Sequence, residues 1–436
     1  MHESTRRFVC RAGFLLGCVF PTLLVAAWIG YLHSSTYREQ ERLAWQETMS
    51  RQLGLDVSLT SVAHPEPNLT WLEGVELKDP ETGRTLASSV RLELAKHDEG
   101  WVVFVGDAQV PRVQLSRLVE VAHPTLWRRA GHAAPVWQLV VGSLQIVSDD
   151  APFTLLDVQL TGQGGDGEST NPQLQVEFRV AGIDMNQPAR VTVTRNRQTD
   201  PPTSAWAFQT GPQALPASLL ALALPPLAEL GDEAQISGQC VVRESAQGWS
   251  GEGQGRITQI DLDRVVTGAF PHKLTGVADL VVSRAAWEQG RLIDAAGTLT
   301  SGGGAVSRSL LASASDENAL QWQMSPRVAE NEQPLWRYRE LAFGFQLNDQ
   351  GIQIAGQCSG ADPGAIFADA HGPLVSEGPQ PWLSTVAAVR FLAPQSEIQV
   401  PASVATEGLL RRLPLPPATQ RERSLARPGY SPLKLR

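Results

Sequence analysis

The residues that could do chemistry in this chain are scattered, and few stand at spacings that a reaction needs. The eight histidines include no i, i+4 pair, the spacing at which one helix face presents two metal ligands. The sequence also lacks the G-x-S-x-G, H-E-x-x-H and C-x-x-C patterns of common nucleophile, zinc and dithiol sites. We therefore expect no catalytic, cofactor-binding or metal-binding residue, and we do not expect an enzyme.

Some polar groups nevertheless permit a chemical interpretation. Asp149-Asp150 and the pair Asp261/Asp263 could exchange protons, although carboxylates at turns and strand ends are usually only solvated. Residues 301–304 are glycine-rich but lack the Lys-Ser/Thr of a P-loop, so we predict a turn between strands. Cys240 and Cys358 could form one disulfide in an oxidising compartment or stay buried as free thiols.

The element that must position everything else is the uncharged apolar run Ala12–Leu32. Its 21 residues, as a helix rising ~1.5 Å per residue, would cross a bilayer core about 30 Å thick. Arg6, Arg7 and Arg11 precede the run, which predicts a cytoplasmic stub over 1–11 and places the chain after His33 outside the cytoplasm. A cleaved signal peptide is the alternative, and it leads to the same side of the membrane.

The composition limits the classes of function. A net charge of −9 argues against nucleic acid as a partner, because phosphate binding needs a basic face. The hydrophobic content of 42% is enough for a buried core, and 38 Gly with 30 Pro indicate many turns.

The region 33–54 behind the apolar run has the pattern of a short amphipathic helix ending at Gly54. Two interpretations stay open for it. Such a helix could lie on the bilayer surface, or it could dock onto the domain that follows.

From Leu55 onwards the hydrophobic period changes to two, which predicts β-strands with one buried and one solvated face. Clear examples are Val90–Leu94, Leu156–Leu160 and Leu174–Val180. We predict a mainly-β fold: an elongated, curled antiparallel sheet, as a groove or a sandwich, with a few short helices. Its predicted parts are a first β-rich half (55–195), a linker (196–204), a second β-rich half (205–360) and a loosely structured Pro/Arg-rich region (361–436).

Several stretches together resemble the AsmA-like family of inner-membrane-anchored periplasmic proteins, which is related to TamB and bridge-like lipid transporters. Leu72–Pro80 resembles the family's early strand and turn, and Val141–Ile146 followed by Leu156–Leu160 resembles its next hairpin. The segments Trp249–Leu311 and Phe343–Gly356 are similar to its late strands. These motifs record strand–turn geometry and are not catalytic.

The resemblance implies a non-catalytic protein of the inner membrane with its C-terminal domain in the periplasm. It implies that an apolar β-groove helps lipid transfer or envelope biogenesis, with the membrane, phospholipid cargo and other envelope proteins as partners. We take Leu174, Val176, Phe178 and Val180 as the candidate apolar face of that groove. The alternative is a membrane-tethered β-sandwich that serves as an interaction scaffold for envelope proteins.

Overall fold

The structure of the chain is a computed structural model that divides it into two compact units, Met1–Ile183 and Asp184–Arg436. The mainly-β prediction is confirmed, and so is one N-terminal apolar helix. The predicted stub up to residue 10, Asp149-Asp150 and the tail from residue 414 lie outside the described residues. The structure describes residue 11 and residues 13–97, 100–129, 136–148, 152–163, 171–222, 224–245, 248–317, 320–322, 335–359, 363–379, 382–394 and 404–413.

The first helices follow the predicted positions. A π-helical turn, Leu15–Val19, leads into α1 (Phe20–Leu32), and together they are long and apolar enough to span a membrane, as a single-pass anchor would. Helix α2 (Ser35–Leu53) ends at Gly54, whose φ of +70° is the left-handed cap that glycine favours. The other helices are α3 (Arg112–Arg129), α4 (Ala217–Leu220), α5 (Arg308–Asp316), α6 (Thr385–Leu392) and α7 (Val404–Arg412).

The first unit contains one sheet in which strands that follow each other along the chain are mostly neighbours. Strands β1 and β2 both pair with β3, and the order then runs β3, β4, β5, β6, β7, β8. The strands are β1 (Asp56–Ser58), β2 (Ser61–Glu66), β3 (Leu69–Lys78), β4 (Thr85–His97), β5 (Gly100–Pro111), β6 (Val136–Val147), β7 (Phe153–Gln163) and β8 (Gln173–Val180).

One pair of strands departs from the predicted antiparallel arrangement. Strands β5 and β6 are parallel, with Val103 opposite Leu139, and α3 connects them. Parallel neighbours need a crossover of a dozen residues or more, and the apolar residues of α3 allow that crossover to be a helix. The sheet is therefore mixed, because the helical connection lets β6 run in the same direction as β5.

The second unit is built on a wholly antiparallel set of pairs. Its main order is β9, β10, β12, β13, β14, β15, β18, β19; β11 pairs with β12, β17 with β15, β20 with β18, β21 with β20 and β16 with β21. The strands are β9 (Ala189–Asn196), β10 (Thr203–Gln209), β11 (Leu215–Pro216), β12 (Gln235–Ser245), β13 (Gly248–Asp261), β14 (Leu274–Glu288), β15 (Arg291–Ser307), β16 (Leu320–Trp322), β17 (Leu335–Tyr338), β18 (Glu340–Asn348), β19 (Gly351–Gly356), β20 (Ala365–Ala368) and β21 (Pro373–Glu377).

Two predicted parts of the chain have a different structure. The segment 196–204, predicted as a linker, forms the turn between β9 and β10, whose residues Asn196 and Thr203 pair. Proline and asparagine favour turns and linkers alike, so composition could not separate them. The region after 360, predicted to be loose, contributes β20, β21, α6 and α7, and Ile366 and Val375 are almost fully buried in the core of the second unit.

Three long strands bury two apolar residues only three positions apart, which a regular strand cannot do. The pairs are Leu72 with Val75, Leu155 with Val158, and Ile257 with Ile260, of which Ile257 is only partly buried against the core. In each case the residue before the second one has a left-handed backbone: φ is +59° at Gly74, +50° at Asp157 and +60° at Gln259. One left-handed residue inserts a kink that returns the next side chain to the buried face.

These kinks generate our first prediction. Gln259→Gly should raise the thermal unfolding midpoint of the full-length chain, because glycine removes a left-handed strain of about 1–2 kcal/mol and costs back only about half of it in chain entropy. Gly74→Ala should lower the midpoint, because a Cβ there meets positive φ and stands 2.1 Å from Thr60 Oγ1.

The matched control is Thr258→Gly, next to Gln259 but without a positive φ. It should lower the midpoint, because glycine in an ordinary strand position costs about 0.5–1 kcal/mol. Equal losses for the Thr258 and Gln259 variants would contradict the strain argument.

Candidate functional site

Helix α2 docks onto the sheet of the first unit, which confirms the docking interpretation of the region 33–54. Trp45, Met49 and Leu53 pack against a buried cluster that includes Leu72 and Leu94. Its exposed face carries compensating charges, such as Arg51 with Glu47 at 2.6 Å. The apolar side of α2 is thus used by the protein itself.

Polar contacts fix the register of this docking. The side chain of Gln46 donates to Val57 O (3.0 Å), and Arg42 donates to Leu59 O (2.9 Å). The backbone N–H of Val57 donates to Ser50 Oγ (3.0 Å). Hydrogen bonds of this kind contribute about 1 kcal/mol each and, unlike apolar contacts, define one geometry.

The junction between α1 and α2 is short and internally bonded. Only His33 and Ser34 separate the two helices, and Ser34 Oγ accepts the backbone N–H of Tyr37 as an N-cap (3.2 Å). The rings of Tyr31 and Tyr37 meet edge to face at 5.5 Å, and Tyr31 Oη donates to Gln40 Oε1 (3.2 Å). These contacts tie the last turn of α1 to the first turns of α2.

The inner face of the first unit's sheet, defined as the face that α2 covers, carries aligned apolar residues. We name one row the inner rung; it has one residue from each of six neighbouring strands, β3 to β8. The strand register places the rung residues opposite one another in the order Thr70, Leu94, Val103, Leu139, Leu160 and Val176. The cluster under α2 reaches Val103, and the rung continues for three more strands.

The candidate groove residues lie on β8 and alternate along it. Val176 is the last member of the inner rung, and Leu174 stands opposite Gly162. Val180 is buried opposite Leu155, whereas Leu174, Val176 and Phe178 are half-buried. Their role in binding an acyl chain stays a prediction.

The second unit likewise buries an apolar core on one face of its sheet. Its core joins both sheet and helices, with Val306, Leu311 and Leu341 almost fully buried. On the same sheet lies a shallow cavity of ≈ 330 Å³, here called the saddle. The residues that line the saddle are uncharged. They include the small residues Ala296, Gly344 and Ala355, and three glutamines that we call the rim glutamines, Gln346, Gln353 and Gln357.

The polar residues suggested by the sequence have structural roles. Asp261 Oδ1 accepts the backbone N–H groups of Asp263 (3.0 Å) and Arg264 (3.4 Å), which starts the helical turn after β13. Among the described residues, no three His, Cys, Asp or Glu side chains stand together as metal ligands would. The interpretation of Asp261 as a solvated turn carboxylate fits better than a reactive one.

Residues 301–304, predicted to be a turn, instead lie inside β15, so that prediction was wrong. Ser301 pairs with Leu341, and Gly304 pairs with Tyr338. A Cβ on Gly304 would stand 1.8 Å from Thr275 O, so glycine is required where two strands approach closely. The sequence pattern did not distinguish close approach from a turn.

Cys240 and Cys358 are free thiols, which agrees with the second of the two interpretations left open by the sequence. Cys358 is buried, and its S–H points to Ile366 O at 3.1 Å. Burial raises the pKa of both thiols, which keeps them protonated and poorly nucleophilic.

A buried ion pair in the first unit was missed by sequence reasoning. Asp79 is 2% exposed. Its carboxylate accepts hydrogen bonds from Arg117 Nε (3.1 Å) and from the backbone N–H of Glu81 (3.0 Å). The Arg117 guanidinium, and then the N–H of Glu81, lower the pKa of Asp79 to about 2. The pair ties the β3–β4 turn to α3, and partners separated by 38 positions left no signal in the sequence.

A buried histidine plays a similar part in the second unit. His272 is 4% exposed; its Nε2 lies 3.1 Å from Phe391 O on α6 and its Nδ1 3.0 Å from Ser309 Oγ on α5. A carbonyl can only accept, so Nε2 carries the proton and Nδ1 accepts from the serine. Burial lowers the pKa of His272, although the Phe391 carbonyl opposes that shift.

Comparison with family models, with curated proteins and with solved structures found no match for this chain. The structure itself shows a mainly-β protein with an N-terminal helix long and apolar enough to span a membrane. The AsmA-like resemblance remains a prediction.

The Asp79–Arg117 pair predicts a specific acid response. Because its folded pKa is lowered, Asp79 stabilises the fold fully above its usual pKa of about 3.9 and loses that contribution as pH falls towards 2. Arg117→Gln should lower the thermal unfolding midpoint of the full-length chain at pH 7. The difference between the midpoints of the wild type and the variant should become smaller between pH 4 and pH 2. The control is Arg84→Gln, which changes an exposed arginine in the same turn and should leave the midpoint almost unchanged. A midpoint difference for Arg117→Gln that stays constant from pH 7 to pH 2 would refute the stabilising role of the Asp79–Arg117 pair.

His272 predicts a response at milder pH. Its lowered pKa means that the unfolded chain binds the proton first, so stability falls as pH drops below about 6.5. His272→Gln can still donate to Phe391 O but cannot titrate, so the midpoint of this variant should change less than that of the wild type between pH 7 and pH 5. Parallel pH curves for the two proteins would show that His272 does not titrate in this range.

Proposed function

We propose that this chain is a membrane-anchored, non-catalytic AsmA-like envelope protein that helps lipid transfer or envelope biogenesis. The proposed location is the inner membrane, with the β-rich part in the periplasm. Arg6, Arg7 and Arg11 before the apolar helix support that orientation. The proposed cargo is the acyl chain of a phospholipid.

The observation that carries the proposal is the inner rung. Six register-aligned positions, of which all but Thr70 are apolar, make a continuous apolar row across the sheet. Past the cluster under α2, the rung residues Leu139, Leu160 and Val176 are only half-buried. Each acyl methylene that completes their burial would contribute about 0.8 kcal/mol.

The polar side of the same strands supports the division of roles between the two faces. The sequence neighbours of three rung residues are polar, and their side chains lie on the opposite face of the sheet: Glu93, Gln159 and Glu177. On β4, β7 and β8, a lipid tail would therefore find an apolar surface on one face and polar side chains on the other.

The test places a photoreactive benzoylphenylalanine at Val176 of the full-length chain in its native membrane. Irradiation followed by mass spectrometry should give a protein–phospholipid adduct, because Val176 belongs to the inner rung. The matched control is the same residue at Gln175, which is adjacent but alternates to the outer face.

The outcomes are distinct. An adduct at 176 and not at 175, lost again with the neighbouring change Leu160→Asp, is the expected result. No phospholipid adduct at 176, or equal adducts at both positions, would contradict a lipid-binding inner face.

The second candidate function is an interaction scaffold for envelope proteins, and the saddle favours it. Its three rim glutamines could each donate and accept hydrogen bonds with a partner. A benzoylphenylalanine at Gln353 should then give one stoichiometric protein adduct, whereas lipid adducts at 176 would still point to the first function.

A further inference from the structure

We infer that the first unit is clamped to its membrane helix so that one edge of its sheet faces the bilayer holding the anchor. We name this edge the hairpin edge; it contains the β2–β3 turn, the ends of β4 and β7 and the starts of β5, β6 and β8. The inference rests on the anchoring part of the proposed function, not on lipid binding.

The direction of the sheet follows from where α2 touches it. Gln46 bonds to Val57, Arg42 to Leu59, and Glu41 Oε1 lies 2.7 Å from His64 Nε2. The helix residues nearer to the anchor therefore contact strand residues with higher numbers, in the order 57, 59 and 64. Strands β1 and β2 run antiparallel to α2, towards the membrane helix.

The β2–β3 turn follows directly from that path. Strand β2 ends at Glu66, and the exposed turn residues Pro67 and Asn68 lie about 10 Å beyond His64 at ~3.3 Å per residue. Glu41 lies six residues after the start of α2 at Ser35, or about 9 Å along that helix. The turn thus comes level with the start of α2, at the height of the joint with α1.

The joint between α1 and α2, residues His33 and Ser34, is held by several contacts. The capping bond from Tyr37 to Ser34, the Tyr31–Tyr37 ring contact and the Tyr31–Gln40 bond act across a two-residue connection. Aromatic rings of this kind favour the headgroup zone, so the joint also fixes its own depth. A fixed joint and a docked helix together hold the sheet at one orientation.

The remaining strands bring their ends to the same edge. The backbone N–H of Lys96 donates to Asn68 O (3.0 Å), Gly100 pairs with Val136, and Gln163 pairs with Gln173. From β4 to β8 the inner rung lies three residues from these ends, or about 10 Å. Lipid tails that reach the rung would come from the adjoining leaflet of the anchoring membrane, not from a soluble carrier.

The experiment compares two ends of the same strands in the full-length chain. With the native cysteines replaced by alanine, the fluorophore NBD is attached at Asn68→Cys or at Arg84→Cys. The second position lies at the far end of β3, about 30 Å away for ten residues. The chain is placed in phosphatidylcholine nanodiscs that contain headgroup spin-labelled lipid, which quenches NBD on contact.

We expect strong quenching at 68 and none above the spin-label-free background at 84. A flexible Gly-Ser linker inserted between His33 and Ser34 should remove the difference by freeing the joint. Equal quenching at both positions, stronger quenching at 84, or a pattern that the linker leaves unchanged would each overturn the inference.

The same measurements separate this inference from the proposed function. A chain that does not enter nanodiscs would refute the anchor and with it both proposals. Quenching at 68 without a phospholipid adduct at Val176 would support the fixed orientation of the sheet. It would refute the proposal that the inner face binds lipid.

Discussion

The alternation of a β-strand, which buries every second residue, is the constraint on which both sheets depend. Long strands with one buried face would be flat without an interruption, and flat faces close poorly on themselves. This chain interrupts β3, β7 and β13 with one left-handed residue each, at Gly74, Asp157 and Gln259. The strands remain paired on both sides of each kink, so the apolar face stays continuous while its direction changes.

Much of the fold could be predicted because local signals were strong. The apolar run, the helix before Gly54 and the period-two strands each follow from short-range pattern, and all three are found. The parallel pair β5–β6 could not be predicted, because a helical connection permits either strand direction when read alone. The kinks were missed for a similar reason: Asp157 and Gln259 carry no composition signal for a left-handed backbone.

The candidate site was predictable only as a property of faces. Alternation identified Leu174, Val176, Phe178 and Val180 as one apolar side of a strand, but register was needed to join Val176 to Leu160 and Leu139. The long-range polar contacts could not be predicted for a different reason. Asp79 and Arg117, like His272 and Phe391, meet through tertiary packing across long separations in sequence. Long-range polar pairs leave no periodic trace in a single sequence.

The crossover between β5 and β6 has a consequence for how the first unit assembles. Strands β2 to β5 can pair in turn as short hairpins form, because each new strand lies beside the last, and β1 also pairs with β3. Strand β5 must then wait for the 24 residues 112–135 before its next partner exists. At ribosomal rates of about 5–20 residues per second this delay is roughly 1–5 s. During that interval β5 is an open edge, so the nascent domain passes through a stage that needs protection from aggregation.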